Sequence, residues 1–96
     1  MILSFKGKCA EDIFHGRNSK SARVLPRYLH ELASEKLDII NTAHGLEDLK
    51  IPPGNRLEML RGNLKDKYSI RINEQWRIVF NWENGHAKNV EIMDYH

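Results

Sequence analysis

Three consecutive side chains could transfer protons: the carboxylate of Asp94, the phenol of Tyr95 and the imidazole of His96. Imidazole suits this task because its ordinary pKa of ~6.5 lies close to neutral pH. Cleavage of RNA without a metal needs a base for the 2′-hydroxyl proton, positive charge for the developing phosphorane, and an acid for the leaving 5′-oxygen. These residues could supply the proton transfers, although they could equally form a frayed tail.

Positive charge is concentrated in residues 55–82. This stretch contains six basic side chains, Arg56, Arg61, Lys65, Lys67, Arg71 and Arg77. It contains three acidic ones, so its net charge is six minus three, or +3, against +2 for the whole chain. A basic segment beside titratable groups is compatible with a phosphate-containing substrate. Lys67 is therefore a candidate for phosphate binding, although a lysine on the outer face of a strand can simply be solvated.

Two stretches of alternating apolar and polar residues, 67–73 and 76–82, predict neighbouring antiparallel strands. If the apolar side chains of both strands face one core, their short connection sets Arg71 opposite Arg77 on the side away from that core. Two cations side by side normally destabilise a strand pair. An anion held between them would explain the arrangement.

The remaining elements are predicted from helical periodicity and turn signals. Helices are expected at Cys9–His15 and from Pro26 to Ala43, and Met1–Lys6 is a possible strand that would add to the later sheet. Asn84-Gly85 predicts a tight hairpin. The longer helix carries an apolar stripe that includes Leu29, Leu32, Leu37 and Ile40. We therefore predict one α+β domain over residues 1–96, with amino-terminal helices packed on a small antiparallel sheet.

Composition excludes several functional classes. Ninety-six residues with 41% hydrophobic and 29% charged residues are typical of one soluble globular domain. No apolar run approaches the ~20 residues that span a bilayer, so no membrane association is predicted and the cytoplasm is the expected location. Cys9 is the only cysteine, which excludes an intrachain disulfide and a thiolate zinc cluster. Neither a metal-binding spacing nor a phosphate-cradling glycine motif occurs, so we predict no metal and no cofactor.

Five motifs resemble those of the HigB toxins, a branch of the RelE superfamily. They are Pro-Pro-Gly-Asn-Arg-Leu-Glu at 52–58, Leu-Arg-Gly-Asn at 60–63, Tyr-Ser-Ile-Arg-Ile-Asn at 68–73, Gln-Trp-Arg at 75–77 and Val-Glu-Ile-Met-Asp-Tyr-His at 90–96. The resemblance covers nearly the whole chain and implies a compact RelE-like fold. It also implies an endoribonuclease that cuts messenger RNA in the ribosomal A site. The implied partner is a HigA-like antitoxin with a helix-turn-helix domain, through which alone operator DNA would be contacted.

The resemblance also implies roles for particular residues. Asp94, Tyr95 and His96 match the carboxyl-terminal residues implicated in cleavage in that family. Arg61, Arg71 and Arg77 match basic positions that hold substrate phosphate. Glu58 stands where some relatives have a catalytic histidine, and it is a further candidate for catalysis.

Other functional classes remain possible from the sequence alone. One alternative is a non-catalytic or attenuated toxin homologue that acts mainly as the antitoxin-binding partner in operator autoregulation. Another is a general binder of single-stranded RNA, which would need exposed aromatic side chains among the basic ones. Trp76, Phe80 and Trp82 are instead predicted to face the core. A small helix-turn-helix gene next to this one would support a toxin, active or not, over the general RNA binder.

Overall fold

A computed structural model of the chain describes residues 1–60 and 67–94. Arg61, Tyr95 and His96, three of the predicted site residues, lie outside these ranges. Two α-helices come first, α1 at Lys8–Phe14 and α2 at His30–Thr42. Short 3₁₀ turns lie at Ala22–Val24, Arg27–Leu29, Leu46–Lys50 and Pro53–Asn55. The helix predicted from Pro26 therefore opens with a 3₁₀ turn before becoming α-helical.

Four strands follow and form one antiparallel sheet in the order β1-β2-β3-β4. They span Glu58–Met59 (β1), Lys67–Arg71 (β2), Trp76–Glu83 (β3) and His86–Asp94 (β4). The prediction of helices followed by an antiparallel sheet is confirmed. Within the described ranges, no helix has the length and apolar character needed to cross a membrane.

The turn between β2 and β3 is held by the side chain of Asn73. Its Oδ1 accepts hydrogen bonds from the main-chain N–H groups of Gln75 at 2.9 Å and Trp76 at 2.8 Å. The Ile72 N–H donates to the Trp76 carbonyl at 2.9 Å, so these two residues face each other and only Asn73, Glu74 and Gln75 form the connection. Arg71 then pairs with Arg77 across the two strands. The predicted register of these two strands is therefore confirmed.

The hairpin between β3 and β4 turns at Asn84-Gly85, as predicted. Both residues have positive φ, 53° and 80°, which is the signature of a type I′ turn. Farther along, the register shifts between Val79 and Asn81. This irregularity lets Ala87 and Val90, three residues apart on β4, both lie fully buried in the core.

The amino-terminal segment forms less regular structure than predicted. In place of a continuous strand over Met1–Lys6, Ile2 and Phe5 make single parallel bridges to β4. The segment ends where Gly7, with φ of 79°, turns the chain into α1. The segment thus covers the β4 side of the sheet without becoming a fifth strand.

The core lies between the helices and one face of the sheet. Its fully buried large side chains include Leu25, Leu37, Ile40, Leu49, Ile70, Ile78, Phe80 and Val90. Leu29 is also buried, whereas Leu32 is only partly buried against the same cluster. The predicted packing of the α2 stripe on the sheet is confirmed at these positions.

The other face of the sheet is more enclosed than the alternation of side chains predicted. Arg77 was expected on the side away from the core, facing Arg71 with an anion between them, and only 8% of its surface is exposed. Ser69 and Val79, on the same face, have no exposed surface. For Arg77 the reason is local, because the segment leading into β1 contacts its guanidinium through Arg56 and Glu58.

The carboxylate of Asp12 holds the segment that follows α1 in place through two hydrogen bonds. Ser19 Oγ donates to it at 2.6 Å and the Arg17 guanidinium donates at 3.1 Å. These hydrogen bonds, the one from Ser19 first, hold the pKa of the Asp12 carboxyl below its ordinary value of 3.8. The lowered pKa means that the ionised form is favoured in the folded protein.

Asp12→Asn is therefore expected to reduce stability most at neutral pH. The stabilisation by ionised Asp12 is fully present above its unfolded pKa and is lost as pH falls through the lower folded pKa. The difference in Tm between wild type and Asp12→Asn should accordingly be constant from pH 7 down to about 5, and should shrink below about 4. Thermal unfolding measured across this range checks it. A difference that stays constant down to pH 2 would show that the charge of Asp12 is immaterial.

Candidate active site

A cleft of about 270 Å³ opens beside the turn that joins β2 to β3. It is lined by Arg56, Glu58, Arg71, Asn73, Glu74 and Arg77. Three guanidinium groups and two carboxylates give this lining a net charge of three minus two, or +1. A concave site with convergent arginines and an excess of positive charge is suited to an anion such as a phosphodiester.

Arg77 is the most tightly held cation of the cleft. Its Nε donates to Ser69 Oγ at 2.8 Å, and its Nη2 donates to the main-chain carbonyl oxygen of Arg56 at 2.6 Å. The Glu58 carboxylate approaches Nη2 at 4.0 Å, beyond hydrogen-bonding distance. The Ser69 hydroxyl and the Arg56 carbonyl thus both orient the Arg77 guanidinium.

Arg71 is held more loosely. Its Nη2 lies 4.0 Å from Glu74 Oε1, and the Glu74 side chain is 96% exposed. An exposed ion pair at this distance contributes little, and its partners are easily separated. Arg71 can therefore turn from Glu74 to another anion at low cost.

The two arginines predicted to need an anion between them do have carboxylates nearby. Glu74 lies beside Arg71 and Glu58 beside Arg77, both at the limit of an ion pair. These contacts moderate the repulsion between the two guanidiniums. Because both distances are long, the carboxylates leave room for the shorter contacts that a phosphate makes with arginine.

Glu58 is placed where it could accept a proton from a group bound in the cleft. It lies on β1 directly opposite Ser69 of β2, on the face that also carries Arg71 and Arg77. Its side chain is 53% exposed. A half-exposed carboxylate beside a cationic anion site can act as a general base for a substrate hydroxyl.

Two other predicted site residues that the structure describes are not among the residues that line the cleft. Lys67, at the opposite end of β2 from Arg71, pairs with Glu91 at 3.8 Å. Asp94, the last residue of β4, accepts a hydrogen bond at 3.1 Å from Gln75 Nε2. Of the predicted residues that the structure describes, it therefore brings Glu58, Arg71 and Arg77 together and gives Lys67 and Asp94 partners of their own.

Two residues of this site were not identified from the sequence. Arg56, named above only among the basic side chains of residues 55–82, lines the cleft and adopts left-handed backbone with φ of 46°. Ser69, which lies within one of the alternating stretches and was not singled out, is fully buried and accepts a hydrogen bond from Arg77. The position of Arg56 within the 52–58 motif was a usable signal, because binding residues concentrate on loops and this loop leads directly into the catalytic candidate Glu58.

Two larger clefts lie elsewhere, but fewer of their lining side chains are available for binding or catalysis. One of about 340 Å³ lies between the end of α1 and the start of α2, and one of about 560 Å³ lies beside the β3–β4 hairpin. Arg17 and His30, in the first of these, are already bonded to Asp12 and to the carbonyl of Leu25. Across residues 1–60 and 67–94, no group of three or more His, Cys, Asp or Glu could hold a metal ion.

Solved structures with the same fold include YoeB toxins of Staphylococcus aureus. The chain aligns with the YoeB–YefM complex with a TM-score of 0.61 at 20% identity, covering 100% of this chain and 98% of that chain. It aligns with the YoeB dimer with a TM-score of 0.60 at 20% identity, covering 99% and 97%. At this level of identity the likeness defines the fold.

Sequence comparison then defines the family. A family model described as "RelE-like toxin of type II toxin-antitoxin system HigB" matches residues 3–96, and the chain belongs to this family of HigB-like toxins. Toxin HigB-1 of Vibrio cholerae serotype O1 is 43% identical over 89 residues, which is 93% of this chain and 92% of the relative. The resemblance in the five sequence motifs is thereby confirmed at the level of the family.

Proposed function

We propose that this toxin is a ribosome-dependent endoribonuclease that cuts messenger RNA in the A site without a metal. The observation that supports it most is the juxtaposition of Arg71, Arg77 and Glu58 in one cleft. Opposed arginines can hold the scissile phosphate and stabilise the charge of the phosphorane. A carboxylate at the same place can take the proton of the 2′-hydroxyl.

The remaining proton transfer is assigned to the end of the chain. His96 serves as general acid toward the leaving 5′-oxygen, and Asp94 and Tyr95 orient it or contact the flanking base. Arg61 and Lys67 extend the positive surface along the message. The 2′-hydroxyl attacks the phosphorus as Glu58 or Asp94 takes its proton, a cyclic phosphate forms, and the 5′-oxygen leaves with the proton from His96. No metal or cofactor is needed for these steps.

The proposed partners follow from the family. One structure with the same fold is a complex of YoeB with YefM, and by analogy a HigA-like antitoxin with a helix-turn-helix domain binds and inhibits this chain. Operator DNA is then contacted only through that antitoxin, and the toxin acts on cytoplasmic ribosomes. We place the antitoxin on the amino-terminal helices and the adjoining sheet edge. The bound antitoxin then inhibits the toxin by making it too large to enter the ribosome.

The test uses purified toxin, ribosomes programmed with a defined message, and the product of the neighbouring helix-turn-helix gene. Primer extension should reveal cleavage at the A-site codon, which the antitoxin suppresses. Free message should be cut far more slowly. Tight antitoxin binding without any cleavage of ribosome-bound message would contradict the proposal and favour the non-catalytic homologue.

Arg71→Ala should reduce the cleavage rate by about 10- to 100-fold, because a hydrogen bond to a charged phosphate oxygen is lost from the transition state. Arg71→Lys should recover only part of the rate, since a point charge does not reproduce the guanidinium fork. Single-turnover cleavage of ribosome-bound message measures both. Lys50→Ala, which removes one exposed positive charge paired with Glu47, is the matched control. Equal rates for Arg71→Ala and Lys50→Ala would show that Arg71 makes no phosphate contact.

A further inference from the structure

The guanidinium of Arg77 donates hydrogen bonds to the Ser69 hydroxyl at 2.8 Å and to the main-chain carbonyl of Arg56 at 2.6 Å. These two bonds leave from different nitrogens, Nε and Nη2, so together they fix the plane of the guanidinium as well as its position. A cation whose plane is fixed before a ligand arrives is what a preorganised phosphate site requires.

Ser69 is built into the sheet as a fixed acceptor. It lies in the middle of β2, has no exposed surface, and stands diagonally across from Arg77 on the same face. Diagonal neighbours on adjacent strands are within reach of long side chains. Because the sheet holds both main chains, the hydroxyl and the guanidinium keep their relative position before any ligand arrives.

The Arg56 carbonyl is held by the loop that precedes β1. Arg56 adopts left-handed backbone, and its neighbour Asn55 is fully buried. Asn55 Nδ2 donates to the carbonyls of Leu49 and Ile51 at 3.2 and 3.3 Å, and its Oδ1 accepts from Lys36 of α2. A non-glycine residue stays left-handed only where its surroundings determine it. The loop therefore delivers the carbonyl to Arg77 from a fixed position.

We propose that Ser69 and the main-chain carbonyl of Arg56 are positioning groups that fix the Arg77 guanidinium for the scissile phosphate. The inference rests on the proposed ribonuclease function. Arg77 then meets the phosphate without first having to be ordered, and its plane is correct for the transition state. Ser69 contributes through Arg77 and makes no contact with substrate itself.

Ser69→Ala and Ser69→Cys test the idea in the ribosome-bound cleavage assay. Both remove the hydroxyl acceptor, and cysteine keeps nearly the original volume. Each should lower the single-turnover rate about 10- to 100-fold, the scale of a small displacement of a catalytic group. In an Arg77→Ala background, Ser69→Ala should have almost no further effect, because the group that it positions is gone. Ser34→Ala, a half-buried serine of α2, is the matched control and should keep the wild-type rate.

A purely structural role for Ser69 predicts a different pattern. The Ser69 variants would then lose thermal stability, and Ser69→Ala would reduce the rate by the same factor with and without Arg77. That result, or an unchanged rate in a folded Ser69→Ala protein, would overturn the proposal.

Hydrogen exchange of the Arg77 side chain measures its anchoring directly and does not depend on cleavage activity. In wild-type protein the Nε–H of Arg77 should exchange with solvent much more slowly than that of exposed Arg27, and Ser69→Ala should remove the protection. Equal exchange of the two arginines in the wild type would refute the anchoring. Protection in a wild-type protein that cleaves no ribosome-bound message would leave the anchoring intact and instead contradict the proposed function.

Discussion

His96→Ala is expected to slow cleavage of ribosome-bound message by ~10² to 10⁴-fold, the usual loss when a group that transfers a proton is removed. In the proposed mechanism, His96 protonates the 5′-oxygen as the phosphorane collapses. Without it, an alkoxide would have to leave, and neither Arg71 nor Arg77 can lose a proton to prevent that. The effect should therefore exceed that of removing either arginine.

The measurement is a single-turnover rate on programmed ribosomes, together with Tm and antitoxin affinity. The last two should be unchanged, because the role proposed for His96 is proton transfer and the antitoxin is proposed to bind the amino-terminal helices. His44→Ala, at an exposed position outside the cleft, is the matched control and should cleave at the wild-type rate. If folded His96→Ala cleaves as fast as wild type, the proton must come from elsewhere, with Asp94 or Glu58 the next candidates.

Leu37→Ala is expected to lower the free energy of unfolding by ~2 to 5 kcal/mol. Leu37 has no exposed surface and lies at the centre of the α2 stripe that meets the sheet. Its truncation removes apolar contacts and leaves a cavity that rigid strands cannot close. Because a domain of this size is stabilised by only about 5 to 15 kcal/mol, a large part of the margin would be lost.

Thermal unfolding should show this as a fall in Tm of roughly 8 °C or more. Leu3→Ala is the matched control, since Leu3 is half exposed and surface substitutions usually change stability by less than ~0.5 kcal/mol. Similar Tm values for the two variants would mean that α2 does not form one core with the sheet.

Local patterns predicted the hairpin part of this fold well. The alternation around Arg71 and Arg77 and the three-residue connection between their strands were enough to pair the two arginines correctly. Asn84-Gly85 located the second turn. The strand register can be predicted in these cases because a short turn joins strands that are adjacent in sequence. A shift of one residue would also turn every apolar side chain of a strand away from the core.

The enclosure of Arg77 could not be read from the sequence in the same way. It depends on Arg56 offering a main-chain carbonyl, and every residue has one, so no residue type signals it. It also depends on Glu58 pairing with Ser69 in a strand of only two residues. Such a short strand has no periodicity to detect, and its register is set by tertiary contacts. The roles assigned to all the site residues stay predictions, and for Arg61, Tyr95 and His96 so does their position.

The bridges between the amino-terminal segment and β4 determine how early the fold can be completed while the chain is being synthesised. The main-chain N–H of Asn89 donates to Ser4 Oγ across 85 positions of the chain, and the β-bridges of Ile2 and Phe5 are made with β4. Contacts so distant in sequence form late, and α2, although made early, has no complete sheet to cover until the last hairpin has emerged. A nascent chain therefore lacks the closed core that fixes its cleft. On the proposed function, the ribosome that makes a copy of this toxin is protected from that copy until β4 has emerged and the core has closed.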